Sequence, residues 1–230
     1  MDATAARPGL PIGRLKAIYA RLARRYDWQH RLLTLGADER GRRLLVHHAV
    51  RPGDRVLDCG AGTGSTGLHA ARRVGPRGTV TFFDLSEEML AVAKAKTTAA
   101  GLEPPLRFES GDLTHLPYAD GAFDAVLSTY SLCPVYDPAD GARELYRVTR
   151  PGGRLGIAHS TEPGGTLVRR LAHIVEALAW QWPALSMGCR AVEVLPALEA
   201  AGARLVLDRT IGVPLWPFRI LVLEKPADGT

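Results

Sequence analysis

The stretch VLDCGAGTG, residues 56–64, constrains this chain more than any other. Val56-Leu57-Asp58-Cys59 reads as a short buried strand, and glycines follow at 60, 62 and 64 before a helical pattern begins. Three alternating glycines at such a junction let the backbone turn sharply and pass close to a ligand. The helix that follows offers free N–H groups and the positive end of its dipole, and Thr63 adds a hydroxyl. A strand, a glycine loop and a helix in that order start a parallel α/β sheet, whose ligands bind at the carboxyl ends of its strands.

The rest of the chain repeats the alternation. Strands are expected at 55–60, 79–84, 106–112, 123–130 and 154–160, with helices between them. Ser86 is placed to cap the helix opening Ser86-Glu87-Glu88. Apolar Leu15, Ile18, Tyr19 and Leu22 recur at helical spacing from residue 14, and a second helical stretch spans about 38–50. Residues 1–13, with two prolines and two glycines, should be loose. A helix over 165–179 carries an apolar face (Leu167, Val168, Leu171, Ile174, Val175, Leu178), followed by Trp180 and Trp182. A helix over about 191–201 should end at Gly202, and the last two strands, 203–210 and 217–226, lie close enough to pair antiparallel. The expected fold is α/β: a doubly wound, seven-stranded, mostly parallel sheet of Rossmann-like type, with an antiparallel C-terminal strand pair and an N-terminal helical lid. Residues 1–50 would form the helical segment and 51–230 the ligand-binding domain, within one domain overall.

Bulk properties narrow the function classes. At 230 residues and 46% hydrophobic, the chain can bury a full core, and no apolar run is long enough to span a bilayer. Its start has no apolar signal region, so export is not expected. Cys59, Cys133 and Cys189 form no CxxC pair, which argues against a disulfide framework or a metal site and fits a reducing cytoplasm. The +5 formal charge is concentrated near the N-terminus, at Arg14, Lys16, Arg21, Arg24, Arg25, Arg31, Arg40, Arg42 and Arg43. No aromatic-interleaved RNA motif accompanies it, so nucleic acid is not expected as a partner. A solvated helix face or peripheral contact with an anionic membrane surface both fit.

The glycine loop alone leaves two cofactors open. Gly62, Gly64 and Gly67 match a dinucleotide fingerprint, with Asp84 near the ribose position. That match begins several residues after the strand ends, whereas Gly60, Gly62 and Gly64 follow Asp58 directly. An acidic residue before GxGxG resembles the first motif of class I S-adenosylmethionine (SAM)-dependent methyltransferases. HLPYADGAFDAVLSTYSL and RELYRVTRPGGRL resemble the ubiquinone/menaquinone-biosynthesis C-methyltransferase family, including Leu116-Pro117 and Pro151-Gly152-Gly153. ARRYDWQHRLLTLGADERGRR (23–43) is similar to that family's N-terminal segment, so the resemblance covers about residues 17–162.

The resemblance implies SAM as cofactor and S-adenosylhomocysteine as product, with no metal. It implies cofactor contacts at Thr63, Asp84, Leu85, Asp112, Leu113 and Thr129, with Asp58, Gly60, Gly62 and Gly64 supporting the methionine end. Asp84 would take the ribose hydroxyls, and Asp112 and Leu113 would frame the adenine. Tyr26 would close the N-terminal segment over the site.

The chain departs from that family on the substrate side. Cys133-Pro134 stands where the quinone enzymes carry an Arg-Asn pair, His159 replaces a glutamate, and Gly41 replaces a tryptophan. The acceptor is expected to be small and apolar, lipidic or aromatic, such as a quinone precursor. A phospholipid amine or a natural-product phenol or amine are the alternatives, and a non-catalytic SAM-binding protein is a further one. An acceptor that must lose a proton needs a base. His159, at the tip of the fifth strand, is the candidate, with His30 a weaker one. Tyr130 is the candidate for orienting the acceptor. The oligomeric state is left open.

Overall fold

The computed structural model describes residues 11–23, 25–102, 104–179 and 190–227. Five strands form the parallel part of the sheet: β1 (Arg55–Cys59), β2 (Thr79–Asp84), β3 (Leu106–Ser110), β4 (Phe123–Thr129) and β5 (Thr149–Ser160). β6 (Arg204–Val213) and β7 (Trp216–Glu224) complete it, in the order β3-β2-β1-β4-β5-β7-β6. β7 lies antiparallel between β5 and β6, as the short 214–215 connection requires. The order reverses at β1, between β2 and β4, and there a crevice opens at the carboxyl ends of the strands.

Helices cover both faces. α3 (Ala37–Ala49), α4 (Ser65–Val74) and α5 (Glu87–Ala99) pack one side, where Leu45, Ala70 and Ala93 meet Val56, Phe82 and Ala158. α6 (Pro138–Val148) and α8 (Leu195–Ala200) pack the other, where Leu145 and Leu198 meet Leu57, Val126 and Ile157. Central strands buried on both faces show continuous burial instead of alternation, as residues 56–59 and 80–83 do. Ser86 caps α5 by accepting from Met89 N–H at 3.3 Å, and Asp137 caps α6 from Ala139 and Asp140 N–H at 3.0 Å.

Several local expectations change. α1 (Ile12–Leu22) begins inside the stretch expected to be loose, because Pro11 carbonyl accepts from Arg14 and Leu15 N–H and starts the helix. A separate helix, α2 (Tyr26–Leu33), stands before α3, and the chain turns between them through Leu35 and Gly36, at φ of 50° and 74°. β5 starts at Thr149, because the Pro151-Gly152-Gly153 segment stays in the sheet, bonded to Lys225 through Gly152 N–H and Gly153 carbonyl. α8 is shorter than expected, since Val192 N–H bonds Ser160 carbonyl and keeps 190–194 out of the helix. Gly202, at φ of 88°, does end it.

The apolar face of α7 (Thr166–Ala179) points outward at Leu167, Leu171 and Ile174, while Ala172 is buried. Trp180, Trp182 and Cys189 lie outside the described residues. Of the first fifty residues, α3 belongs to the packed layers, and α1 and α2 overlie the crevice.

Candidate functional site

The crevice is a cavity of about 460 Å³, roofed by α1 and α2 and floored by the loops after β1, β2, β3 and β4. Gly60 and Gly62 line it at φ of 70° and 54°. A Cβ on Gly60 would stand 2.2 Å from Ser131 Cβ, so the loop must be bare where it crosses the β4 exit. A Cβ on Gly62 would meet nothing within 4 Å, so the backbone there faces open cavity. Gly64 and Gly67 have a different task. Their absent Cβ atoms would fall 2.8 Å from Ala93 Cβ and 2.2 Å from the Phe82 ring, so these glycines let α4 and the loop seat on the core.

Asp84, at the end of β2, braces the loop. Its Oδ2 accepts from Gly62 N–H at 2.7 Å and its Oδ1 from Ser86 N–H at 2.9 Å. Burial nevertheless holds its pKa above the ordinary carboxylate value. Each oxygen keeps a second lone pair, so two donors about one bond apart, such as ribose hydroxyls, fit beside the bonds already made. Asp112 uses Oδ1 to accept Thr114 N–H at 2.9 Å, which leaves Oδ2 as an acceptor on the cavity wall. Leu85, Leu113 and Met89 supply apolar surface beside these two carboxylates. An adenosine matches that set, and the bare backbone at Gly62 leaves room for the methionine chain of SAM.

Asp58, Thr63 and Gly64 do not line the cavity. Asp58 is wholly buried beneath the loop, where its Oδ2 accepts Gly67 N–H at 2.7 Å and its Oδ1 has no partner. Thr63 points at the roof: its hydroxyl donates to Asp27 Oδ1 at 2.5 Å. Lys96 joins Asp27 at 2.8 Å and Ser65 at 3.1 Å, tying α2, the glycine loop and α5 together. Thr129 lines the cavity while its hydroxyl shares a 2.6 Å hydrogen bond with Thr66.

The roof is latched to α3 by a second network. His30 Nδ1 lies 2.9 Å from Asp38 Oδ2, and Thr34 donates to Asp38 Oδ1 at 2.8 Å. These bonds and the Arg42 guanidinium hold the Asp38 carboxyl far below the usual range, against its burial. The His30 ring stacks on Tyr26 at 5.4 Å and meets Tyr130 at 5.2 Å, so it backs two residues of the cavity wall without lining the cavity itself.

Two acceptor-side assignments change. His159 is fully buried and does not line the cavity. Ala158 packs with Tyr130 and Phe218 on one face of the sheet, so strand alternation turns His159 to the other. There its Nδ1 lies 3.0 Å from Ser160 carbonyl, its Nε2 has no partner, and burial keeps it neutral. Tyr130 does line the cavity, but its hydroxyl is already engaged. It donates to Asp38 carbonyl at 3.3 Å, and Arg42 sits 5.0 Å over the tyrosine ring. A Cβ on Gly41 would stand 2.7 Å from that hydroxyl, so the glycine in the tryptophan position and the tyrosine at 130 belong to one arrangement. Tyr130 also holds φ of 60°, a strained value for a non-glycine residue at a strand exit beside a site.

Sequence reasoning missed the roof residues Pro11 and Ile12, the use of Leu15 and Tyr19 as cavity wall, and the partnership of Asp27. It also missed Arg190. This buried guanidinium donates to the carbonyls of Cys133, Val135 and Tyr136 at 3.2, 2.7 and 3.2 Å, and so fixes the loop that walls the cavity after β4.

Comparison with known proteins agrees with this geometry. A methyltransferase-domain family model matches residues 56–153. The chain is 33% identical over 153 residues to a demethylmenaquinone methyltransferase of Lactobacillus johnsonii, a match covering 66% of this chain and 63% of that protein. It thus spans less than two thirds of that relative's length. It is 31% identical over 161 residues to a ubiquinone/menaquinone biosynthesis C-methyltransferase of Geotalea daltonii, covering 70% of this chain and 68% of that protein. In fold it is similar to the [4+2]-cyclase SpnF, with a TM-score of 0.71 and 20% identity, covering 97% of this chain and all of that one. The chain belongs to the class I SAM-dependent methyltransferases, close to the ubiquinone/menaquinone-biosynthesis C-methyltransferases.

Proposed function

We propose that this protein transfers the methyl group of SAM to a ring carbon of an apolar, quinol-type aromatic acceptor. The observation that carries this reading is the make-up of the cavity. Among the described residues Asp84 and Asp112 are its only carboxylates, both suited to the cofactor, and the wall beyond them is Ile12, Leu15, Pro134 and Val135 with Tyr19, Tyr26, Tyr130 and Tyr136. An ammonium or zwitterionic head group would leave its charge unpaired there. The demethylmenaquinone and ubiquinone/menaquinone enzymes among its relatives support the same acceptor class.

SAM brings a methyl group already activated by its sulfonium, so the protein's work is alignment and exclusion of water. Asp84 and Asp112 hold the adenosine, Gly62 leaves the path for the methionine chain, and α1 closes Leu15 and Tyr19 over the cavity. No described histidine lines it. A quinol suits such a site because its own hydroxyl ionises and drives electron density to the neighbouring ring carbon. The hydroxyl proton passes to solvent before the site closes. As the new C–C bond forms at that carbon, the S–CH3 bond breaks and gives S-adenosylhomocysteine. The ring proton then moves to water as the site opens and the ring oxygen is reprotonated, so one proton is released per methyl group. Arg190 would act as a positioning residue, by holding the 133–136 wall against the acceptor.

Mass spectrometry of products formed from methyl-deuterated SAM tests this. A short-chain demethylmenaquinol, phosphatidylethanolamine and a naphthol would be offered in parallel. Label on a ring carbon of the quinol is expected. Label on the amine or on a phenolic oxygen in its place would overturn the reading. His159→Gln is expected to leave kcat and KM for the quinol unchanged. A large fall in kcat at constant KM would put that ring into the reaction.

A further inference from the structure

Twelve large apolar side chains are exposed among the described residues, and ten of them sit on segments at the carboxyl edge of the sheet, where the cavity opens. They are not scattered. On α2, Trp28 and Leu32 are one turn apart and 71% and 59% exposed, and Leu35, in the turn that follows, is 72% exposed. On α7, Leu167, Leu171 and Ile174 repeat at helical spacing and are likewise exposed. Such patches on a protein surface mark interaction sites.

The unpaired charges on the outer side of α1 and α2 are basic, while Glu88 lies near Lys16 and Glu162 pairs with Arg169 beside α7. Arg14 and Arg21 on α1, Arg25 and Arg31 around α2, and Arg40 on α3 are exposed, and none of their guanidinium groups has a hydrogen-bond or ion-pair partner among the described residues. At helical spacing Arg25 and Arg31 flank Trp28 and Leu32 on the outer side of α2, while Tyr26 and His30 face inward. The one carboxylate of α2, Asp27, is taken by Lys96 and Thr63. On α7, Arg170 stands beside the apolar stripe, and Arg169, paired with Glu162 at 3.9 Å, next to it. A helix with arginines framing tryptophan and leucine is the pattern that lies flat in the head-group region of an anionic bilayer. No described helix is long and apolar enough to cross a membrane, so the contact would be peripheral.

The geometry points to the outer face of α1–α2, over the cavity, as a docking surface for an anionic lipid bilayer, with the exposed stripe of α7 at the same edge of the sheet. α1 and α2 have two faces with two tasks. Leu15, Tyr19 and Tyr26 close over the cofactor cavity, and the outer arginines and Trp28 meet the lipid. Docked this way, the mouth of the cavity opens onto the membrane, and an apolar acceptor reaches it without crossing water. The docking is read from the surface alone. Its use in delivering the acceptor rests on the methyltransferase reading above.

Flotation of the full chain with vesicles tests it. Binding is expected to phosphatidylcholine–phosphatidylglycerol vesicles at low salt, to weaken in high salt, and to be much weaker on phosphatidylcholine alone. Trp28→Ala with Leu32→Ser, and separately Arg25→Glu with Arg31→Glu, should each lower the bound fraction by about tenfold or more, given about 1 kcal/mol per basic residue at such a surface. Val206→Ser, an exposed apolar residue on β6 away from the rim, should change nothing. All variants should keep wild-type SAM affinity. Both rim variants should methylate a short, water-soluble acceptor normally and lose activity on the same ring embedded in vesicles. A protein that stays off anionic vesicles would overturn the proposal. So would a dimer in sedimentation that dissociates on Trp28→Ala, since the face would then belong to a second copy. Docking without turnover of any acceptor would keep the surface and overturn the acceptor reading instead.

Discussion

Asp84→Ala is expected to raise the Kd for SAM by about two orders of magnitude or more. A hydrogen bond to a charged group contributes about 1.5–3 kcal/mol. Two ribose hydroxyls on one carboxylate would therefore account for roughly 3 kcal/mol, and each 1.4 kcal/mol is a factor of ten. The structure adds a second loss. Asp84 also holds Gly62 N–H and Ser86 N–H, so alanine frees the glycine loop as well as removing the acceptor. Asp84→Asn separates the two effects. Its amide keeps one carbonyl oxygen, but its NH2 faces a backbone N–H that wants an acceptor, so affinity should fall less than in alanine while the loop loosens. Titration calorimetry with SAM and S-adenosylhomocysteine reads the affinities, and thermal unfolding without ligand reads the loop. An unchanged Kd in Asp84→Ala would mean that the ribose is bound elsewhere.

The place of Asp84 and Asp112 on the cavity wall was legible in the sequence, and the turning of Thr63, Asp58 and His159 away from it was not. The reason is physical. Asp84 ends β2, a largely apolar buried strand, and Asp112 lies two residues past the end of β3, and in a parallel sheet the ends of the strands face the same crevice. The sequence position then fixes the spatial one. His159 also sits near a strand tip, but whether a side chain there enters the crevice depends on which face of the sheet it takes. That face is set by Ala158 packing on Tyr130 and Phe218. The periodicity of Leu15, Tyr19 and Leu22 announced a helix with one buried face, but not that Leu15 and Tyr19 would be buried against a ligand site. α7 shows the converse: Leu167, Leu171 and Ile174 of an equally regular apolar stripe face outward. Arg190 had no signal at all, since its partners are backbone carbonyls 54 to 57 residues away.

The first acid of the glycine motif should make stability depend on pH in an unusual direction. Asp58 is wholly buried, with one oxygen on Gly67 N–H and the other without a partner, and burial pushes its carboxyl up to about 7. In the unfolded chain the same group titrates near 3.9. Between about pH 4 and 7 the folded state therefore keeps a proton that the unfolded state has lost, and linkage makes folding less favourable as pH rises across that window. Above pH 7 the full cost remains, roughly 4 kcal/mol at about 1.4 kcal/mol per pH unit. Other groups shape the total curve: His30 and His159, buried and neutral, act in the opposite sense below about pH 6.5. The difference between two proteins isolates Asp58. Asp58→Asn can accept the same Gly67 N–H and cannot ionise, so the stability of the asparagine protein relative to wild type should climb by up to about 4 kcal/mol from acid to mildly alkaline solution. Urea unfolding of both proteins at about pH 5 and about pH 8 measures it. A difference that stays constant would show a carboxylate ionised in both states, and the buried oxygen would then need a cationic partner in solution.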